Sequence, residues 1–187
     1  MSIVNHNFKH AFIHIPKTAG HSMQTQNWVG RTCHTSALEF QQAGMWRDDY
    51  FSWTFVRNPY DRMVSSYEWA RKTWNKMWRI RFGVTLDDLS SFEKYVSWVE
   101  RTGGHKNDNR PQTDFIVDKD GNLTVDFIGR FENLENDWNH VCEMVLGRTS
   151  PLPHKNKTNR RPTDSYYTDD LKKRVFGLYR EDFKNFY

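Results

Sequence analysis

Apolar residues along this chain come in short blocks separated by polar turns, and the spacing inside each block assigns the elements. Phe12 to Ile15 is a compact β-branched and aromatic run stopped by Pro16, which predicts a short central strand. A helix is expected from Gly20–Ser22 to about Val29, and a shorter one from Ser36 to Gln42. Tyr50 to Val56 reads as the next strand. Asn58 then offers a capping side chain and Pro59 a first helical residue that sacrifices no hydrogen bond. After them Tyr60, Met63, Val64, Tyr67 and Ala70 recur at helical spacing and form a core-facing stripe.

The middle of the chain is less regular. Leu89 to Trp98 predicts a helix with Phe92, Tyr95 and Val96 packing inward, and the polar, Gly-rich stretch Arg101 to Arg110 reads as a surface loop. Asp114–Val117 and Leu123–Ile128 flank Asp118-Lys119-Asp120-Gly121, a hairpin pattern. Leu134, Trp138, Val141 and Val145 mark a helix that Gly147 ends. Thr149 to Asp164 has no period. Thr168 then caps a last helix with Leu171, Val175 and Leu178 inward. Strand, turn and helix in this order predict an α/β fold, in which ligands lie beyond the carboxyl ends of the strands.

Composition narrows the picture. The hydrophobic share is only 37%, but 8 Trp, 8 Tyr and 13 Phe carry much of the apolar area in large rings. With no repeat and no low-complexity linker, residues 1–187 read as a single domain. The net charge of +4 is too small for a nucleic-acid stripe, so nucleic acid is not the expected partner. Two cysteines, Cys33 and Cys142, suit a reduced compartment better than a disulfide scaffold. The polar start and the short run Ala11–Ile15 give neither a secretory leader nor a membrane span, so a cytoplasmic or otherwise soluble location is expected, without a Golgi-type anchor.

Candidate chemistry sits at the ends of two predicted strands. Pro16-Lys17-Thr18-Ala19-Gly20-His21-Ser22 is a turn of small residues opening a helix, where the backbone can approach an anion and Lys17 can meet charge growing on a bridging oxygen. Thr18 and Ser22 add hydroxyls. The turn does not follow G-x-x-x-x-G-K-[ST], because Lys17 precedes Gly20. At the second strand end, Arg57 supplies a rigid fork and Ser65, two helical turns beyond Pro59, a hydroxyl; together they suit a terminal phosphate. The bland readings are a solvent-facing lysine, an Arg57–Asp61 pair and a spacer serine. Two cationic turns at two strand ends point to one site that grips two separated anionic groups.

These residues also carry a family resemblance. Phe12 to Ser22 resembles the 5′-phosphosulfate loop of the carbohydrate-type sulfotransferases, and Phe55 to Tyr67 resembles their 3′-phosphate motif. Arg110–Ile116, Asp126–Leu134, Leu152–Asn156 and Tyr179–Phe183 extend the match in order along nearly the whole chain. The resemblance implies a P-loop-containing nucleotide-hydrolase-like sulfotransferase fold, with a central, mainly parallel sheet flanked by helices. It implies 3′-phosphoadenosine-5′-phosphosulfate as donor, adenosine 3′,5′-bisphosphate as product, and a sugar or polysaccharide acceptor. Lys17 becomes the cation at the bridging oxygen, and Pro16 to Ser22 the 5′-phosphate cradle. Arg57 and Ser65 become the 3′-phosphate ligands, and Lys155 a donor-binding candidate in a late-chain loop. His21 departs from the small hydroxyl residue common in relatives.

Transfer to an alcohol also needs a base, and a neutral histidine is suited to it. Among eight histidines, His34 lies between the two donor motifs and resembles the base of the hexuronate 2-O-sulfotransferase-like branch. His14 reads as loop support and His105 as a solvated loop residue; Glu39 and Glu68 are fallback bases. The basic segment 154–161 can cover the donor or meet an anionic acceptor, and Tyr166 and Tyr167 can flank an acceptor or anchor the final helix. Cys33-His34 has no second pair at finger spacing and there is no H-E-x-x-H, so no metal is expected. Two other classes fit less of the pattern. A kinase-like phosphotransferase explains the Lys17 turn but gives Arg57 and Ser65 no purpose, and a noncatalytic anion- or nucleic-acid-binding module explains only the basic and aromatic residues.

Overall fold

A computed structural model describes residues 3–30, 33–74, 83–103, 109–152 and 160–187. The chain forms two compact units, one from residues 1–57 with 112–157 and one from 58–111 with 158–187.

The first unit is built on a four-stranded sheet: β1 (Ile3–Asn5), β2 (His10–Ile13), β3 (Phe51–Val56) and β4 (Phe127–Arg130), each beside its neighbour in chain order. β1 runs antiparallel to β2, while β2, β3 and β4 are parallel, with Phe12 opposite Trp53 and Phe55 opposite Gly129. β3 reads as a continuous run because both of its faces are covered: Trp53, Thr54, Phe55 and Val56 are fully buried. Thr54 earns its interior place by donating its hydroxyl to the Ile13 carbonyl at 2.7 Å. On one side lies an aromatic core in which Phe12 stacks on Trp53 at 4.1 Å and Trp28 on Trp138 at 5.2 Å.

Three helices belong to this unit among the described residues: α1 (Gly20–Met23), α2 (Ala37–Gln42) and, after the next two helices in the chain, α5 (Leu134–Leu146). α2 starts at a capping box in which Ser36 and Glu39 bond each other's backbone amides. α5 presents Trp138, Val141 and Cys142 to the core and ends at Gly147, whose φ of 68° is left-handed. Two expectations change here. The first helix stops at Met23 rather than Val29, because the Thr25 hydroxyl and amide both turn back to the Ser22 carbonyl and break the ladder. The expected hairpin shrinks to one bridge, Val117 with Leu123, and the following strand pairs instead with β3. The turn itself is present, with the Asp118 carboxylate accepting from the amides of Asp120 and Asn122.

In the second unit all regular elements among the described residues are helical: α3 (Pro59–Thr73), α4 (Phe92–Thr102), α6 (Asp169–Leu178) and α7 (Arg180–Phe186). α3 begins as its sequence demands, with Asn58 accepting from the Tyr60 amide and Pro59 in the first turn. Ser91 and Thr168 cap α4 and α6. Met63, Val64, Tyr67, Tyr95, Trp98, Leu171 and Val175 build one apolar cluster. Asn109 is not a surface residue: it is buried, donates to the Tyr95 hydroxyl at 2.8 Å and accepts from that of Tyr179 at 2.8 Å. Among the described residues no helix is long and apolar enough to cross a membrane.

Candidate functional site

β2 delivers the chain into the lysine turn, and the turn is held in an uncommon backbone. Lys17 and Ala19 both have left-handed dihedrals, at φ 70° and 72°, although neither is glycine. Each such residue costs on the order of 1–2 kcal/mol, and strain of this kind concentrates at ligand-binding turns. Left-handed residues in a turn can bring backbone amides toward one concavity, the arrangement of an anion nest. α1 has only four residues, too short to present a helix dipole of any size to this turn. Thr18 is fully buried and donates its hydroxyl to the Ile15 carbonyl at 2.8 Å, which pins the turn from inside. Lys17 is half-buried, Ser22 buried and His21 exposed.

β3 delivers Arg57 to the same turn. Its Nη1 donates to the Lys17 carbonyl at 3.0 Å, and its guanidinium lies 3.8 Å from the centroid of Phe131. Gln112 grips the Arg57 backbone from the other side. The Arg57 amide donates to Gln112 Oε1 at 2.9 Å, and Gln112 Nε2 donates to the Arg57 carbonyl at 2.8 Å. The two cationic turns read from the sequence therefore meet within one unit. Ser65 lies in α3 of the second unit, on its buried side.

His34 is exposed, and its Nδ1 donates to the His14 carbonyl at 3.1 Å. A carbonyl only accepts, so the hydrogen sits on Nδ1 and the neutral ring keeps its lone pair on Nε2. That is the tautomer a general base needs. His14 itself is buried beneath the turn, 4.5 Å from the His34 ring and 6.0 Å from the His21 ring by centroids. Burial first, then the neighbouring His34 and His21 rings, hold its basicity well below the ordinary histidine value.

The remaining candidates separate. Glu39 Oε2 accepts from the Ser36 amide and hydroxyl at 2.6 and 2.7 Å, and Glu68 accepts from Tyr166 and Arg71, so both fallback bases are held in structural contacts. Arg160 pairs with Asp61 at 2.5 Å, and Arg161 lies over the Tyr166 ring at 4.7 Å. Tyr167 donates to the Tyr60 carbonyl at 2.9 Å, the anchoring role. His105 and Lys155, with the rest of 153–159, lie outside the described residues. Among the described residues no three His, Cys, Asp or Glu side chains gather closely enough to hold a metal ion.

Gln112 and Phe131 were not singled out by residue type. Both fall inside segments that carry the resemblance, Arg110–Ile116 and Asp126–Leu134, and that was the only signal available. The model of the sulfotransferase family matches the chain over residues 1–187. A search of curated proteins finds no match.

Proposed function

The chain belongs to the sulfotransferase family, whose chemistry is sulfonate transfer, and on that premise we propose that it sulfates a carbohydrate hydroxyl using 3′-phosphoadenosine-5′-phosphosulfate. The observation that carries the reading is the 3.0 Å hydrogen bond from Arg57 to the Lys17 carbonyl, which joins the two cationic turns. The strained turn fits a phosphosulfate: the amides of Thr18, Ala19 and Gly20 follow the left-handed Lys17, and the Lys17 side chain supplies a cation beside them. Thr18 contributes through its amide, since its hydroxyl hydrogen goes to Ile15. Arg57 serves the 3′-phosphate. Ser65 and Lys155 join the donor site on the resemblance alone, as does the choice of the hexuronate 2-O-sulfotransferase-like branch.

In this mechanism His34 Nε2 takes the acceptor proton as the hydroxyl oxygen forms its bond to sulfur. Lys17 donates to the phosphate oxygen that receives the electron pair of the breaking S–O bond, an interaction that strengthens as charge develops there. The sulfate ester and adenosine 3′,5′-bisphosphate result, with the proton left on His34. In-line geometry puts the acceptor and leaving oxygens on opposite sides of sulfur.

Calorimetric titration tests the donor assignment. Adenosine 3′,5′-bisphosphate should bind at least roughly tenfold more tightly than adenosine 5′-monophosphate, about 1.4 kcal/mol, with Arg57→Ala erasing most of the difference. Equal affinities in the parent protein would remove Arg57 from the 3′-phosphate.

A further inference from the structure

The mechanism above gives no part to the side chain of His14, yet this ring touches both halves of the reaction. It is 2% exposed and stacks on Phe12 with centroids 5.5 Å apart. Gln24 Nε2 donates to its Nδ1 at 3.1 Å, which leaves the ring hydrogen on Nε2. That Nε2 edge lies against Gly20 so closely that a Cβ at position 20 would stand 2.0 Å from it. Glycine is required there by space, since the contact is with a buried ring and not with a flexible side-chain end. On the other side the His14 carbonyl receives the His34 Nδ1 hydrogen bond, and the two rings stand 4.5 Å apart.

We infer that His14 is a positioning residue for the transfer, a wedge whose ring sets the spacing between the Gly20 turn and the base and whose carbonyl aims His34 Nε2 outward. The inference rests on reading His34 as the base and the turn as the donor cradle. Phe12 and Gln24 lock the wedge from two directions, so its carbonyl is presented in one orientation. A ring removed at position 14 frees the segment to settle toward Gly20, and the carbonyl then no longer meets His34. Base and cradle are thus coupled through one side chain that touches neither substrate.

Nitrogen-15 NMR of the His34 ring reads this directly and needs no acceptor. In the parent, His34 should show the Nδ1–H tautomer near neutral pH. In His14→Ala that signature should give way to the mixture of tautomers found in water. His14→Phe keeps the ring volume and should retain most of the parental signature, the rescue that a wedge predicts. Gly20→Ala, which drives one methyl group into the ring, should lose it without removing His14, and it decides the matter should His14→Ala fail to fold. An unchanged His34 tautomer in folded His14→Ala or Gly20→Ala overturns the inference, as does loss in His14→Phe equal to that in His14→Ala. Adenosine 3′,5′-bisphosphate titrated into the same samples keeps the two readings apart. If the parent does not bind it, the donor cradle fails, whereas binding by the parent with no tautomer change in the variants defeats the wedge alone.

Discussion

Replacing Gln112 by leucine isolates the contact that holds Arg57 in place. Gln112 is fully buried and makes two hydrogen bonds to the Arg57 backbone, at 2.9 and 2.8 Å. Leucine has a similar volume, so little cavity is created, but the Arg57 amide and carbonyl lose their partner. Each orphaned buried group costs about 1–3 kcal/mol, and the added apolar burial returns roughly 1–2 kcal/mol, so the net loss centres on about 2.5 kcal/mol. For a chain of this size that lowers the melting temperature by roughly 5–10 °C. Urea unfolding should show a lower midpoint at unchanged slope, because the surface exposed on unfolding is the same. Affinity for adenosine 3′,5′-bisphosphate should fall as well, since the backbone that carries the Arg57 guanidinium loses its clasp. A midpoint equivalent to a loss below about 0.5 kcal/mol would refute the reasoning, by showing that the two Arg57 groups find other partners at no cost.

Two further outcomes follow from packing and titration. Gly129→Ala would place a Cβ 2.6 Å from the fully buried Phe55 ring, and should cost roughly 1–3 kcal/mol in the same unfolding assay; a neutral result would mean the β3–β4 register yields easily. Burial depresses the basicity of both His10 and His14, so the unfolded chain binds protons that these rings refuse. Stability should therefore be full above about pH 6.5 and fall as pH drops below it, with a shallower fall in His14→Phe. A urea midpoint that rises on acidification would contradict this sign.

Local signals were legible wherever a residue acts on its own neighbourhood. Asn58-Pro59, Thr168 and Gly147 mark helix ends by short-range hydrogen bonding and backbone freedom, and each end stands where it was read. The two inner strands were legible as apolar runs stopped by turns, and their parallel pairing was expected from the resemblance. What escaped depends on partners far along the chain. Gln112 meets Arg57 across 55 residues, and no period or motif spacing announces such a clasp. Leu123–Ile128 carries a hairpin's alternation, yet tertiary pairing with β3 wins over the local turn. His34 was chosen by resemblance, while the His14 carbonyl that sets its tautomer is a backbone group, to which side-chain patterns are blind. The cradle's left-handed dihedrals at Lys17 and Ala19 were hidden for a related reason, since neither residue type advertises positive φ.

Transfer itself is the most direct measurement of the central claim. The purified protein should be incubated with sulfur-labelled 3′-phosphoadenosine-5′-phosphosulfate and a panel of sugars, polysaccharides, phenols and small alcohols, with products identified by mass. Magnesium–ATP runs beside it as donor. The account predicts a sulfated carbohydrate in the parent reaction, its rate falling by roughly 10²-fold or more in Lys17→Ala and in His34→Ala while both variants still bind adenosine 3′,5′-bisphosphate. Magnesium-dependent phosphoryl transfer from ATP with no sulfated product from any acceptor, or sulfation that proceeds at the parental rate in folded Lys17→Ala, would contradict it.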